Sequence, residues 1–180
     1  MKLLLTSLLL CIAMSVGAVP YINHERGCKV DFPCAFESDT SSISFTHLKV
    51  KSIRLSATEE VETPLVKFNI IYRFICEQFY PTPKNVSPAD LMTAMKIYSK
   101  KMNEASFLAN NQTVLEQKQS TFKNLPAIDY KLEMKDTGLI EYRKVIFKKD
   151  KIYALSFECL KPLIQTDKLN AFFNSFELIQ

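Results

Sequence analysis

Leu125-Pro126-Ala127-Ile128-Asp129-Tyr130-Lys131-Leu132-Glu133-Met134 runs into Lys135-Asp136-Thr137-Gly138, and a second apolar-rich run follows from Leu139 to Phe147. Ile128, Tyr130, Leu132 and Met134 recur at every second position, which puts them on one face of an extended chain. The polar tetrad ending in Gly138 has the composition of a hairpin turn. Working outward, Lys148-Lys149-Asp150-Lys151 is a second charged turn leading into Ile152–Leu160, and Thr113–Phe122 reads as a polar strand ahead of the block. Residues 113–159 therefore predict an antiparallel meander of about four strands.

Upstream, Val66, Phe68, Ile70, Tyr72, Phe74 and Cys76 share one face of the run Leu65–Phe79, with Ile71 and Ile75 on the other, so this strand is covered on part of both faces. Ile43, Phe45, Leu48, Val50, Ile53 and Leu55 alternate with changes of parity, which fits one bulged strand or two strands. Cys28–Pro33 reads as a short edge strand stopped by proline. Glu37–Ser42 reads as a turn, and Thr58–Pro64, with Glu59, Glu60 and Glu62, as an acidic loop. Ser87-Pro88-Ala89-Asp90 announces a helix: the serine caps, the proline suits the first turn and the aspartate closes a capping box. Leu91, Met95, Tyr98 and Met102 continue it as one apolar stripe to about Ala105, suited to packing on a sheet. Thr166-Asp167 caps a short second helix carrying Leu169, Phe172, Phe173 and Phe176. No repeat or linker divides these elements, and one α+β domain over 28–180 is expected, with helices packed on an antiparallel sheet.

The chain has 180 residues, 47% hydrophobic and 23% charged, with a formal net charge of +4. That composition excludes a disordered chain, and the basic surplus, spread without runs, is no nucleic-acid signature. Lys2, the apolar stretch Leu3–Met14 and Ser15-Val16-Gly17-Ala18 make residues 1–18 a secretory signal peptide with Val19 as the first mature residue. The apolar run stops at Pro20, short of the ~20 residues a membrane anchor needs. Cys11, deep in the apolar run, is no lipidation site. Residues 19–27 read as an irregular arm. Export leaves Cys28, Cys34, Cys76 and Cys159 in an oxidising compartment, and an even number there points to two disulfides. Spacing does not separate the three possible pairings; Cys28 with Cys34 and Cys76 with Cys159 is the preferred one. A zinc site is disfavoured, since there is no C-x-x-C pair and only His24 and His47 supply nitrogen.

Val30-Asp31-Phe32-Pro33 at the start of the domain, the helix from Ser87, Leu125-Pro126-Ala127-Ile128-Asp129-Tyr130, Lys151-Ile152-Tyr153-Ala154-Leu155-Ser156-Phe157 and Ala171-Phe172-Phe173-Asn174-Ser175-Phe176 together resemble the PsbP-like superfamily, which groups PsbP with Mog and DcrB type proteins. The resemblance covers residues 28–180. It implies an α/β/α sandwich and a non-enzymatic binding or assembly module. The four mature cysteines, and Asn124-Leu125-Pro126-Ala127 where a glycine is frequent, depart from its pattern.

No catalytic constellation stands out. His24 falls in the arm and His47 within a strand, the placement of ordinary histidines. Glu59 with Glu60, or Glu158 with Asp167, are the carboxylate pairs on which acid–base chemistry would draw, yet acids at this density arise by chance. Lys144, Lys148, Lys149 and Lys151 near one turn, and Lys96, Lys100 and Lys101 on the helix, read as solvated faces rather than an anion or headgroup site. Tyr72, Phe74, Phe79 and Tyr80 are core residues or the lining of a small apolar pocket, with Tyr80, Pro81, Pro83 and Val86 as a candidate binding loop. Asn85-Val86-Ser87 and Asn111-Gln112-Thr113 match the glycan acceptor pattern. The sequence thus predicts a periplasmic or secreted, disulfide-stapled monomer. It is expected to bind a protein or small apolar ligand, with no cofactor, metal, nucleic acid or membrane anchor. An extracytoplasmic enzyme built from scattered Glu, Tyr and Lys, and a carrier or inhibitor acting through the 80–86 loop, are the rival readings.

Overall fold

The computed structural model describes residues 17–44, 49–82, 84–109 and 112–179, with the backbone alone for 102–109. His47, Pro83, Asn111 and residues 1–16 of the expected leader lie outside the described residues, as does the side chain of Met102. The chain runs β1 (Val19–Asn23), β2 (Cys28–Phe32), β3 (Glu37–Ser44), β4 (Lys49–Glu62), β5 (Lys67–Tyr80), α1 (Pro88–Ala109), β6 (Gln112–Phe122), β7 (Leu125–Met134), β8 (Leu139–Lys148), β9 (Lys151–Leu160), α2 (Thr166–Asn174) and β10 (Glu177–Leu178). Seven strands form one sheet in the order β3-β4-β5-β9-β8-β7-β6, and β1-β2-β10 form a second. Every pairing is antiparallel.

The expected α/β/α sandwich is not what forms. Over the described residues the protein is mostly β, with a three-stranded and a seven-stranded antiparallel sheet and two α-helices. The reason lies at the N-terminus: Val19–Asn23, expected to be irregular, pairs residue for residue with Cys28–Phe32. The nine-residue α2 is too short to cover a seven-stranded sheet. The small sheet therefore shares that face with it, and Val30, Phe32, Phe172 and Phe176 close over Leu55, Ile70, Tyr72, Phe74, Tyr153, Leu155 and Phe157. Phe172 lies edge-on to Tyr72 at 5.2 Å and tilted against Phe32 at 5.5 Å. On the opposite face α1 packs over β6, β7 and β8 and buries Met95 against Ile128, Tyr130, Leu132, Val145 and Phe147.

Local chemistry explains most element ends. The Asp90 carboxylate accepts the Ser87 N–H at 2.8 Å while the Ser87 hydroxyl accepts the Asp90 N–H at 3.2 Å, a reciprocal capping box at the start of α1. The helix runs past the expected Ala105 to Ala109. Thr166 opens α2 as a helical residue; its cap position is Gln165, which makes no side-chain capping bond. Gly138 turns the β7–β8 hairpin at φ +66° and donates its N–H to the Met134 carbonyl at 2.9 Å. Lys123 and Asn124, both at positive φ, make the two-residue turn between β6 and β7 that matches strand twist. Two expectations change: Glu37–Ser42 is not a turn but most of the exposed strand β3, and β4 continues through Thr58 to Glu62 instead of ending in an acidic loop.

The register also revises the cysteine pairing. Cys76 stands opposite Tyr153, and Cys159 lies six residues further along β9, about 20 Å away at ~3.3 Å per residue. Cys34 places its sulfur at Thr58, five residues and about 16 Å along β4 from Ile53, the register partner of the Cys76 that Cys28 faces. A disulfide needs Cα atoms within ~7 Å, so neither expected bridge fits this fold.

Candidate functional site

A half-open cleft of about 560 Å³ lies between α2, the β2 end of the small sheet and the β4–β5 face of the large one. Ala18, Pro33, Ala171 and Phe172 supply its apolar lining, and Asp31, Glu59, Tyr72, Lys168 and Ser175 its polar groups. Strand parity delivers Glu59. It follows Ile53, Leu55 and Ala57 at two-residue steps on the inward face of β4, and Ala57 pairs with Tyr72, so Glu59 lies diagonally across from the phenol. The Tyr72 hydroxyl donates to Glu59 Oε2 at 2.7 Å, and Lys168 pairs with Glu59 Oε1. Helical spacing delivers the rest: Lys168, Ala171, Phe172 and Ser175 fall on one face of α2 and its C-cap. Ser175 fixes that helix end by accepting the Asp31 N–H at 3.1 Å and donating to the Phe172 carbonyl at 2.8 Å.

Burial, and after it the hydrogen bond to Glu59, pushes the Tyr72 phenol up, so it keeps its proton and acts as a donor. Glu59 is matched by one cation and one hydroxyl, which leaves the cleft charge-balanced at its centre. Asp31 at the rim faces Lys29 at 3.6 Å. Such a set offers hydrogen bonds beside an aromatic wall; it holds no activated nucleophile. Cys34, half-buried nearby, points its sulfur at the Thr58 carbonyl at 3.5 Å, and burial raises its thiol.

Of the residues singled out in the sequence, Glu59 and Tyr72 come together here. Glu60 faces away and pairs with Lys67 at 3.6 Å. Glu158 and Asp167 are not brought together, because Glu158 is buried beneath the α1 side with Arg73 while Asp167 sits in the first turn of α2. None of the described residues of the 80–86 loop lines the cleft: the Tyr80 hydroxyl donates to Glu25 at 3.3 Å and Lys51 lies 4.8 Å over its ring. His24 is in the β1–β2 turn. Lys168 was missed because α2 announces itself through its phenylalanines.

A second polar cluster lies under α1. Glu141, fully buried, is gripped by Arg143 through Nε at 2.6 Å and Nη2 at 2.9 Å, and Gln112 adds a bond at 3.4 Å. Glu158 stands directly opposite Glu141 in the β8–β9 register, a pair of like charges held by Arg73 and Arg143. A shallower cavity of about 250 Å³ carries Arg26, Lys49 and Lys51 beside Thr40, Ser41 and Ser42. Among the described residues there is no group of three or more His, Cys, Asp or Glu placed to hold a metal, and no helix long and apolar enough to cross a membrane.

With this geometry, the comparison that bears on the chain is structural. No known family's sequence profile matches it, and no curated protein matches it. The solution structure of cyanobacterial PsbP (CyanoP) from Synechocystis sp. PCC 6803 superposes with a TM-score of 0.57 at 10% identity, covering 93% of this chain and 95% of that one. The fold is PsbP-like. The crystal structure of PA94, a Pseudomonas aeruginosa protein of unknown function, matches at a TM-score of 0.43 and 10% identity over 81% of this chain and 84% of that one. The PsbP-like fold thus agrees with the expected resemblance at the level of chain path, with the helix layers of the expected sandwich replaced as described above.

Proposed function

We propose that the protein is an exported, non-enzymatic binding module whose ligand site is the cleft between α2 and the β4–β5 face. The observation that carries this reading is the closed Tyr72–Glu59–Lys168 set beside Phe172: a charge-balanced hydrogen-bonding centre against an apolar wall suits a neutral amphipathic ligand. The signal-peptide pattern over residues 1–18 supports export to a periplasmic or extracellular location. A cut after Ala18 removes one lining residue and leaves Val19, the first residue of β1, at the cleft mouth.

An NMR fragment screen with neutral aromatic amides and alcohols tests the ligand site. The expected result is binding that shifts resonances of Glu59, Tyr72 and Ala171 and that Ala171→Trp abolishes at an unchanged melting temperature, since Ala171 is exposed. Hits that survive Ala171→Trp, or that shift only the 80–86 loop, refute the placement and favour the carrier reading. N-terminal sequencing of protein from the extracytoplasmic fraction is expected to begin at Val19; native protein retaining residues 1–18 in the cytosol overturns export.

A further inference from the structure

We propose that Cys28 and Cys76 are the one native disulfide of this protein, a crosslink between the small sheet and the large one, and that Cys34 and Cys159 remain thiols. Both Cys28 and Cys76 are fully buried, and their thiols are electrostatic neighbours across the interface between the sheets. Three independent contacts hold the two segments in that register. The Arg26 guanidinium donates to the Cys76 carbonyl at 3.1 Å and to the Lys51 carbonyl at 3.3 Å. Tyr153, the register partner of Cys76, donates its hydroxyl to the Arg26 carbonyl at 2.7 Å. Tyr21, one strand over from Val30, packs its ring 6.1 Å from that of Phe74.

Cys34 is half-buried with its sulfur facing the Thr58 carbonyl, whereas Cys159 is fully buried on β9. Both lie near Tyr72, but neither thiol is among the groups acting on the other.

The chemistry is a thiol–disulfide exchange. The Cys76 thiolate attacks one sulfur of a small-molecule disulfide such as oxidised glutathione and releases one thiolate. The Cys28 thiolate then attacks the Cys76 sulfur of the mixed disulfide and releases the second. Two protein thiols are oxidised, one external disulfide is reduced, and the two protons the protein thiols lose end on the two released thiolates, making them thiols. Because neither sulfur is exposed in the folded chain, exchange proceeds during folding, before the sheets close.

The inference draws on the export reading only for where the oxidant is met, and the test supplies the oxidant in the tube, so the two fail separately. The full chain is unfolded, reduced, refolded with oxidised and reduced glutathione, then denatured, alkylated with iodoacetamide and mapped by mass spectrometry without reduction. The expected map has a Cys28–Cys76 linked peptide and alkylated Cys11, Cys34 and Cys159. The Cys34→Ser/Cys159→Ser variant is expected to keep the link and to lose urea resistance on reduction, as the wild type does. Cys28→Ala is expected to show no oxidant-dependent shift of its urea midpoint. Alkylation of all five cysteines, or a Cys28–Cys34, Cys76–Cys159 or Cys34–Cys159 peptide, overturns the proposal. If Cys28→Ala fails to fold, the peptide map of the double variant still decides.

Discussion

Replacing Arg143 with methionine strands the most deeply buried acid described in the molecule. Glu141 has no exposed surface, and among the described residues Arg143 gives it two hydrogen bonds and Gln112 one, at 3.4 Å, so the variant removes two of these three. Breaking a buried pair from one side costs about 3–5 kcal/mol, because the surviving charge keeps its desolvation penalty and loses its counterion. The Arg143 side chain is 23% exposed, so water can reach part of the vacated space and the lower end, about 3 kcal/mol, is expected. With a urea slope of ~2 kcal/mol per molar, the unfolding midpoint falls by about 1.5 M at pH 7. The double variant Glu141→Leu/Arg143→Met removes both charges and is expected to recover all but about 1 kcal/mol, since an apolar replacement of a buried pair is often neutral. Equilibrium urea melts of the three proteins at pH 7 measure all of this. A single variant within about 1 kcal/mol of wild type, or a double variant less stable than the single, refutes the account of Glu141 as a charge held in place by Arg143.

Burial pushes the Glu77 carboxyl up despite Arg54, so its folded value lies above its unfolded one. Its favourable contribution is complete below the ordinary carboxyl range and is lost as the pH rises through the folded value. Glu77→Gln is therefore expected to melt higher than wild type at pH 7 and to match it near pH ~4; equal melting temperatures at both pH values sink that reasoning. Gly138 sits at φ +66° with nothing within 4 Å of an added Cβ, so Gly138→Ala loses only the backbone preference, about 1 kcal/mol in urea melts. Gly138→Asn should lose less, and a loss above ~2 kcal/mol for alanine would mean a steric clash that the open space around this turn does not contain.

The β5–β9 part of the large sheet and the start of α1 were legible because their signals are local, whereas β3 and the end of β4 were read as a turn and a loop. Period-two alternation with a turn residue at each end made β7, β8 and β9 readable, and Ser87 with Asp90 announced the helix within four residues. The small sheet was not legible. Its third strand is two residues at the far end of the chain, and its pairing with β2 is set by tertiary contact alone. The same non-locality hid the cysteine geometry, since spacing in sequence does not report which sheet stacks on which. The cleft was half-visible. Tyr72 stood out as an aromatic on the central strand, but Glu59 was placed in a loop, although Ile53, Leu55, Ala57, Glu59 and Val61 keep one unbroken parity. A charged residue in step with a buried apolar series was the available signal. Lys168 carried a weaker one, its i, i+3, i+4 relation to Ala171 and Phe172.

Ala18 forms part of the cleft wall, and the residue after it is already locked into β1 by its pairing with Phe32. Anything fused ahead of Val19 is therefore steered across the opening instead of trailing away into solvent. A purification handle at that end would act as a plug, and uptake experiments belong on protein whose handle has been trimmed back to the strand.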